Sequence, residues 1–282
     1  MGEIGAALDR VMASCDVPAR LEVDPVSIVH RYRRPADREL VGLMASAVAF
    51  GNAKAFRVKL EQALAWLGPD VAFVADDELD VFARLHGWRH RVYRGEDLAR
   101  LLIGARRVQR VSGSLGRRFS DDLAREGDLR RALTSFARAI REAGGLDRKK
   151  GKRRGASHIL ADPAGASGCK RLLLYLRWMV RPADGIDLGL WDVPTRVLLV
   201  PVDTHIHKLG RNLGFTRRKA LSWKTTEEIT GALRKLDPDD PAKYDFALCH
   251  LGMLQRCPSR RDPARCEGCG VMPVCRHWAR SC

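Results

Sequence analysis

The sequence predicts an all-α protein, and three observations support this fold class. Apolar residues recur at helical spacing along most of the 282-residue chain, as in Leu98, Leu101 and Leu102. Capping side chains precede several of these stretches, and glycines follow them. Alternation of apolar and polar residues with the period of a strand is almost absent, and no segment repeats another.

The amino-terminal half is predicted to form six helices. Asp37 is expected to cap the second, while Gly68-Pro69 and Gly144-Gly145 end the third and the last. The six helices are predicted from the following residues, in chain order: Ile4, Leu8, Val11 and Met12; Leu40, Leu43, Met44, Ala47 and Val48; Phe56, Leu60, Leu64 and Leu67; the segment 80–85; Leu98, Leu101, Leu102, Ala105 and Val108; and Leu129, Ala132, Leu133, Phe136 and Ile140.

Residues 87–95 interleave aromatic side chains with cations between two glycines. Rings stack on bases and arginines contact phosphates, so this segment suits a nucleic-acid contact. The alternative is that Trp88 and Tyr93 fill the core while the arginines are solvated. The sequence leaves both interpretations open.

A basic run lies between the two halves of the chain. Its cations repel one another, so it is expected to be a loop that either lies in solvent or follows phosphates. They are Arg148, Lys149, Lys150, Lys152, Arg153 and Arg154.

The carboxyl-terminal half is also predicted to be helical. Residues 164–169 form a turn of small residues, after which a helix with Lys170 in its first turn extends to Val180. A second helix begins after Asp203, its N-cap, and Gly214 ends it. Asp240 is expected to cap a third helix, with Pro241 at its first position. Most aspartates at a helix start serve only as caps. A catalytic role for Asp203 would depend on which other residues accompany it.

The composition points to a polyanionic partner. The chain has 50 Lys+Arg against 34 Asp+Glu, a net charge of +16, which most simply indicates nucleic acid. The alternative is a genome that favours arginine. No uncharged apolar stretch is long enough to cross a bilayer, and the amino terminus has no signal-like apolar run. We therefore expect a cytoplasmic monomer that does not contact membranes.

Five of the eight cysteines fall in the last 26 residues, which indicates a metal site. Cys257, Cys266, Cys269 and Cys275 have the spacing of four thiolate ligands on one small loop. This spacing suits either a [4Fe–4S] cluster or zinc and does not separate them. Cys282 is the alternative to Cys257 as the fourth ligand.

The order of these features resembles the helix-hairpin-helix DNA glycosylases of the endonuclease III type, in the HhH-GPD superfamily. The features are the small-residue turn followed by Lys170, the run Val202-Asp203-Thr204-His205, and the four cysteines. The resemblance covers about residues 160–280 well and the amino-terminal half loosely. It implies a two-lobed helical helix-hairpin-helix fold with a carboxyl-terminal loop of four cysteine ligands, and it favours the [4Fe–4S] cluster over zinc.

The resemblance also implies an activity. A glycosylase flips a damaged base, here an oxidised one, out of double-stranded DNA and excises it. Lys170 would attack the sugar C1′ and, if the enzyme is also an AP lyase, cleave the strand through a Schiff base; Asp203 would stabilise the cationic sugar or activate the nucleophile. One alternative is a non-catalytic iron–sulfur DNA-binding protein with the same fold, in which Lys170 contacts a phosphate. Another is a zinc-stabilised RNA-binding protein.

Further site residues follow by the same resemblance. Gly168 and Arg171, together with the basic run, are expected to contact DNA phosphates. The family turn Gly-x-Gly-x-Lys here begins with Ala166, so only Gly168 keeps full φ freedom. Val48 stands where endonuclease III has a polar wedge residue. Phe50 or Asn52 would therefore have to fill the space left by a flipped base.

The separation in sequence between the two proposed catalytic residues bears on the choice of substrate. Lys170 and Asp203 are 33 positions apart, which resembles the archaeal 8-oxoguanine DNA glycosylases more than endonuclease III. Trp178 or Trp191 would line a base pocket, or either would belong to the core. The expected divisions of the chain are 1–36, 37–155 ending in the basic run, 156–254 with the hairpin and Asp203, and 255–282 with the cysteine loop.

Overall fold

The computed structural model describes residues 2–147, 154–258 and 260–278, with the side chain of Arg154 excepted. The structure is 62% helical and 1% strand, so the predicted all-α class is confirmed. None of the described helices is both long and apolar enough to cross a membrane.

Ten helices and a short hairpin precede the basic run. The antiparallel strands of the hairpin pair Arg89 with Arg94 and His90 with Tyr93. In chain order the elements are α1 (Gly2–Ala13), α2 (Val17–Val23), α3 (Val26–Val29), α4 (Pro35–Val48), α5 (Ala53–Leu67), α6 (Val71–Val74), α7 (Glu78–Arg84), β1 (Arg89–His90), β2 (Tyr93–Arg94), α8 (Gly95–Ser112), α9 (Leu115–Glu126) and α10 (Leu129–Gly144).

Six more helices follow, and two single 3₁₀ turns lie at Thr195–Val197 and Met272–Val274. The helices are α11 (Arg154–Ile159), α12 (Lys170–Val180), α13 (Thr204–Asn212), α14 (Trp223–Arg234), α15 (Asp245–Leu254) and α16 (Pro263–Cys266).

The chain forms two compact units, and each is built from separate stretches of sequence. The first unit comprises Met1–Arg20, Ala166–Leu173 and Pro194–Cys282. The second comprises Leu21–Gly165 and Leu174–Val193. Lys170, Asp203 and the cysteine loop all belong to the first unit.

The core of the first unit is formed by one face of each of its longer helices. Leu8 from α1, Ile206 and Leu209 from α13, Ile229 from α14 and Leu248 from α15 are all buried in one cluster. These residues recur at helical spacing, so each helix buries a single apolar stripe. Because α13 is part of this core, Asp203 at its start is held in place by packed side chains.

The core of the second unit depends on one close backbone approach and on one buried carboxylate. A Cβ added at Gly104 in α8 would overlap the Ile140 carbonyl of α10, so these helices cross at a distance that only glycine permits. Glu39 in α4 accepts hydrogen bonds from Leu115 N and Gly116 N, each at 2.9 Å, and from Trp191 Nε1 at 2.8 Å. These donors satisfy the buried charge and fix the start of α9.

Two predicted helix starts are wrong. Asp37 does not cap α4, which begins at Pro35. Its buried carboxylate instead accepts from Arg34 Nε at 2.6 Å and from Ala72 N at 2.7 Å, so it serves the start of α6. Asp240 and Pro241 do not begin the last long helix. Residues 241–244 form a turn in which N–H groups bond carbonyls three residues back, and α15 begins at Asp245.

Candidate functional site

The small-residue turn leads directly into α12, whose first residue is Lys170. The Cys169 N–H donates to Ser167 Oγ at 3.1 Å, which closes the turn. The residue in the left-handed region is Cys169, with φ of 50°, and not Gly168. The expected use of glycine's φ freedom at this turn is therefore wrong. A left-handed conformation is uncommon for a residue with a side chain, so the turn carries some backbone strain just before Lys170.

Gly168 lies where the small-residue turn closely approaches the start of α14. A Cβ added there would lie 3.4 Å from Ser222 O and 3.4 Å from Thr226 Oγ1, so the turn lies against the start of α14. Lys170 and Arg171 are half-buried in the first turn of α12. Lys170 is therefore the first residue of α12 and lies beside the small-residue turn.

The predicted capping role of Asp203 is confirmed. Its Oδ1 accepts from His205 N and Ile206 N, each at 2.8 Å. The second oxygen, Oδ2, lies 3.6 Å from the thiol of Cys249 on α15. The two carboxylate oxygens thus have different contacts, because one closes the helix start and the other has, among the described residues, a weak thiol donor as its side-chain partner.

The four predicted cysteine ligands line one small cavity of about 20 Å³. Cys266 and Cys275 are buried, and Cys257 and Cys269 are half-buried. The other lining residues include the apolar side chains of Leu209, Leu213, Val271 and Met272.

The cavity is unfavourable for thiolates without a metal. Burial, followed by smaller contributions from the other cysteines, raises the pKa of the Cys257, Cys269 and Cys275 thiols. A bound cationic centre would reverse this effect, because a coordinated thiol is deprotonated. Thiols are the residue type that binds iron–sulfur clusters and zinc. Among the described residues, however, no group of three or more His, Cys, Asp or Glu side chains is placed so that it could hold a metal ion.

Asn212 fastens this loop to the end of α13. Its Nδ2 donates to Cys257 Sγ at 3.2 Å and to Pro258 O at 3.3 Å. The backbone carbonyl of Asn212 accepts a hydrogen bond from Arg276 N at 2.8 Å. One helix thus begins at Asp203 and ends at a residue that holds both ends of the cysteine loop. The sequence analysis missed Asn212, since its role depends on residues about 45 positions away.

The remaining predicted site residues are placed as follows. Lys149, Lys150, Lys152 and Arg153 lie outside the described residues, as does Cys282, and Arg154 begins α11. Asn52 caps α5 by accepting from Ala55 N at 3.1 Å. Phe50 is half-buried, with its ring about 5 Å from those of His90 (5.1 Å) and Tyr93 (5.0 Å). Trp178 and Trp191 are both buried in the interior.

Trp191 has an identifiable structural environment. Its ring stacks on Phe119 at 5.7 Å, and its indole N–H is bound to Glu39. The ring of Phe136 also packs against it at 5.9 Å. The structure thus places Trp191 in the interior of the second unit, in the core environment that was the alternative to a base pocket.

Two functional candidates were missed at the sequence level. One is Cys249, which lies within the helix α15 and carries no motif. The other is the segment 216–224, where Arg217, Arg218 and Lys219 follow one another. The run of cations was a visible signal, but nothing in the sequence shows that it adjoins the small-residue turn.

The chain is a mostly helical protein in which one compact unit holds the small-residue turn from Ala166 onward, Asp203 and the cysteine loop. It belongs to the family described as "Protein of unknown function (DUF2400)", whose model matches residues 24–254. The matched region includes Lys170 and Asp203, whereas the four clustered cysteines lie beyond it. No curated protein and no solved structure matches the chain.

Proposed function

We propose that the protein is a DNA repair glycosylase that excises a damaged base from duplex DNA, with Lys170 as nucleophile and Asp203 as its partner. The observation that carries this proposal is the arrangement in the first unit. Lys170 begins α12 after a strained turn, and Asp203 uses only Oδ1 to cap α13. Its other oxygen is available to stabilise positive charge on the sugar.

The chemistry follows from these two groups. A base flipped out of the stack exposes C1′ of its sugar. The Nζ–C1′ bond forms as the bond from C1′ to the base breaks, and the base leaves with the bonding electron pair. The carboxylate of Asp203 stabilises the cationic sugar while that bond breaks. Nζ, which attacks as the neutral amine, then passes one proton to the departing base. Breaking of the C1′–O4′ bond, with a proton added to O4′, gives the Schiff base, and loss of a proton from C2′ lets β-elimination expel the 3′ phosphate.

An oxidised base is the substrate class that we propose. The support is the wide separation of Lys170 and Asp203, which resembles that of the archaeal 8-oxoguanine glycosylases. A panel of duplexes, each with one oxidised, deaminated or alkylated base, identifies the preferred lesion.

A [4Fe–4S] cluster would be held by Cys257, Cys266, Cys269 and Cys275. It would supply no catalytic step and would cross-link the carboxyl-terminal loop. Asn212 and the apolar cavity wall hold the same loop from the side of α13. These contacts hold the loop beside the core of the first unit.

The test is borohydride trapping on a duplex that the unaltered protein cleaves. We expect Lys170→Gln to abolish the covalent adduct with little loss of DNA affinity, because one cation among many is removed. Lys208→Gln, at an exposed lysine on α13, is the matched control and should trap normally.

Asp203→Asn tests the second residue. The amide oxygen can still cap α13, so the protein should fold, while the excision rate falls by roughly 100-fold or more. A well-folded Asp203→Asn protein with near-full activity would show that the residue is only a cap. Failure of the unaltered protein on every lesion, with tight DNA binding, would favour a non-catalytic DNA-binding protein.

A further inference from the structure

We propose that residues 216–224, here called the 216–224 loop, form a phosphate-contact surface for duplex DNA beside the small-residue turn. The inference rests on the DNA-binding part of the proposed function and adds a surface to it. The loop connects α13 to α14 and includes the first residues of α14.

The loop is held rigidly on the first unit. Thr216 Oγ1 donates to Glu228 Oε2 at 2.5 Å and accepts from Arg218 N at 3.1 Å. The Nε2–H group of His207 on α13 donates to Arg218 O at 2.9 Å. Further along, Thr225 Oγ1 donates to Ala220 O at 2.6 Å. A surface that is already ordered loses little conformational entropy when it binds.

One cation of the loop forms an ion pair with a residue of α14, and the other three face solvent. Arg218 Nε forms an ion pair with Glu228 at 2.7 Å. Arg217, Lys219 and Lys224 are exposed, and within the described part of the chain their side chains make no hydrogen bond or ion pair. Three cations therefore face solvent from a fixed frame.

Within the described residues, the nearby carboxylates of α14 form no ion pair with Arg217, Lys219 or Lys224. Glu227 accepts from Trp223 Nε1 at 2.7 Å, and Glu228 is bound to Thr216 and Arg218. The hydrogen bond from Thr216, followed by that from Arg218, lowers the pKa of Glu228. The first turn of α14 carries no acidic residue.

The position of the loop indicates the partner. The small-residue turn lies against Ser222 and Thr226 through Gly168, within the same unit as the loop. Ser167 in the turn is exposed, so the turn and the loop border one region of the surface. Duplex DNA carries one negative charge per about 1.7 Å of its axis, so a strand that reaches the turn also brings phosphates to neighbouring cations.

The experiment measures duplex binding as a function of salt. The altered protein carries Arg217→Gln, Lys219→Gln and Lys224→Gln together, and the probe is a fluorescent duplex with one lesion. Each phosphate contact contributes about 0.9 to the slope of log K against log salt, so we expect the slope to become shallower by roughly 2 to 3.

The control uses the two ends of one helix. Lys224 lies in the first turn of α14, and Lys235 follows its last residue; both are exposed. We expect Lys224→Gln to reduce the slope by about 1 and Lys235→Gln to leave it unchanged. Circular dichroism and thermal unfolding confirm that the variants fold, which is expected because the side chains are exposed.

The outcomes separate this inference from the proposed function. If the unaltered protein binds and excises a base while the triple variant keeps the full slope, the 216–224 loop is not a DNA contact. If the unaltered protein binds no duplex DNA, both proposals fail. Tighter binding to an RNA duplex than to DNA would overturn the choice of partner.

Discussion

At the scale of single residues, the two oxygens of the Asp203 carboxylate make different contacts. Oδ1 satisfies two backbone N–H groups, which fixes the carboxylate plane. Oδ2 is then oriented by the Cys249 thiol at 3.6 Å. A thiol is a weak donor, so it orients this oxygen while removing little of its negative charge. Cys249 is therefore a candidate positioning residue for Asp203.

We expect Cys249→Ala to slow base excision about fivefold without changing DNA affinity, because losing one hydrogen bond changes the energy by about 1 kcal/mol. Cys249→Ser should restore most of the rate. Single-turnover kinetics and duplex titration measure the two quantities separately. Cys15→Ala, which alters another thiol packed against the same core, is the control. An unchanged rate in Cys249→Ala would remove the residue from the mechanism.

At the scale of elements, α13 joins the two chemical features of the first unit. It begins at Asp203 and ends at Asn212, which contacts the cysteine loop. A nine-residue helix is about 14 Å long, so the loop is separated from Asp203 by a rigid spacer. The loop therefore contacts the end of the helix that is remote from Asp203.

We expect iron and sulfide to be lost in the Cys→Ser variants at 257, 266, 269 and 275, because each removes one thiolate ligand from the shared cavity. Cys249→Ser and Cys282→Ser should retain them. Metal analysis of protein purified without oxygen provides the measurement. Retention of iron in Cys257→Ser with loss in Cys282→Ser would show that Cys282, and not Cys257, is the fourth ligand. Stoichiometric zinc without iron would establish the zinc alternative.

At the scale of the whole molecule, one buried histidine makes the stability depend on pH in a chain whose net charge is +16. His90 in β1 is buried, and its ring lies 5.1 Å from the half-buried ring of Phe50. Burial, followed by the charge of Arg91, lowers the pKa of His90 below its ordinary value. The folded protein thus binds a proton at this site less readily than the unfolded chain does.

The sign of the pH dependence follows. The stability that neutral His90 permits is fully present above the unfolded pKa, near 6.5, and is lost as the pH falls below it. We expect urea midpoints to drop between about pH 7 and pH 5, and to drop less in His90→Gln. His86→Gln, at an exposed histidine of the same segment, is the matched control and should behave like the unaltered protein. Identical pH dependence in all three proteins would contradict the assignment.

The sequence by itself determined the all-α class, the start of α12 at Lys170, the cap on α13 and the glycine that follows it. These features depend on hydrogen bonds and periodicity within a few residues, so a local pattern is sufficient to predict them. The grouping of four cysteines on one loop was likewise visible from spacing. The chemistry assigned to them and to Lys170 stays a prediction that the experiments above address.

Tertiary structure decided the features that join distant parts of the chain. Asp37 reaches Ala72, and Glu39 fixes the start of α9, which the sequence analysis did not identify. Trp88 and Tyr93 are in the core, which settles one of the alternatives that the sequence left open. Each outcome depends on a buried polar or aromatic side chain finding a partner tens of residues away. Such pairings are set by packing, and a single sequence does not reveal them.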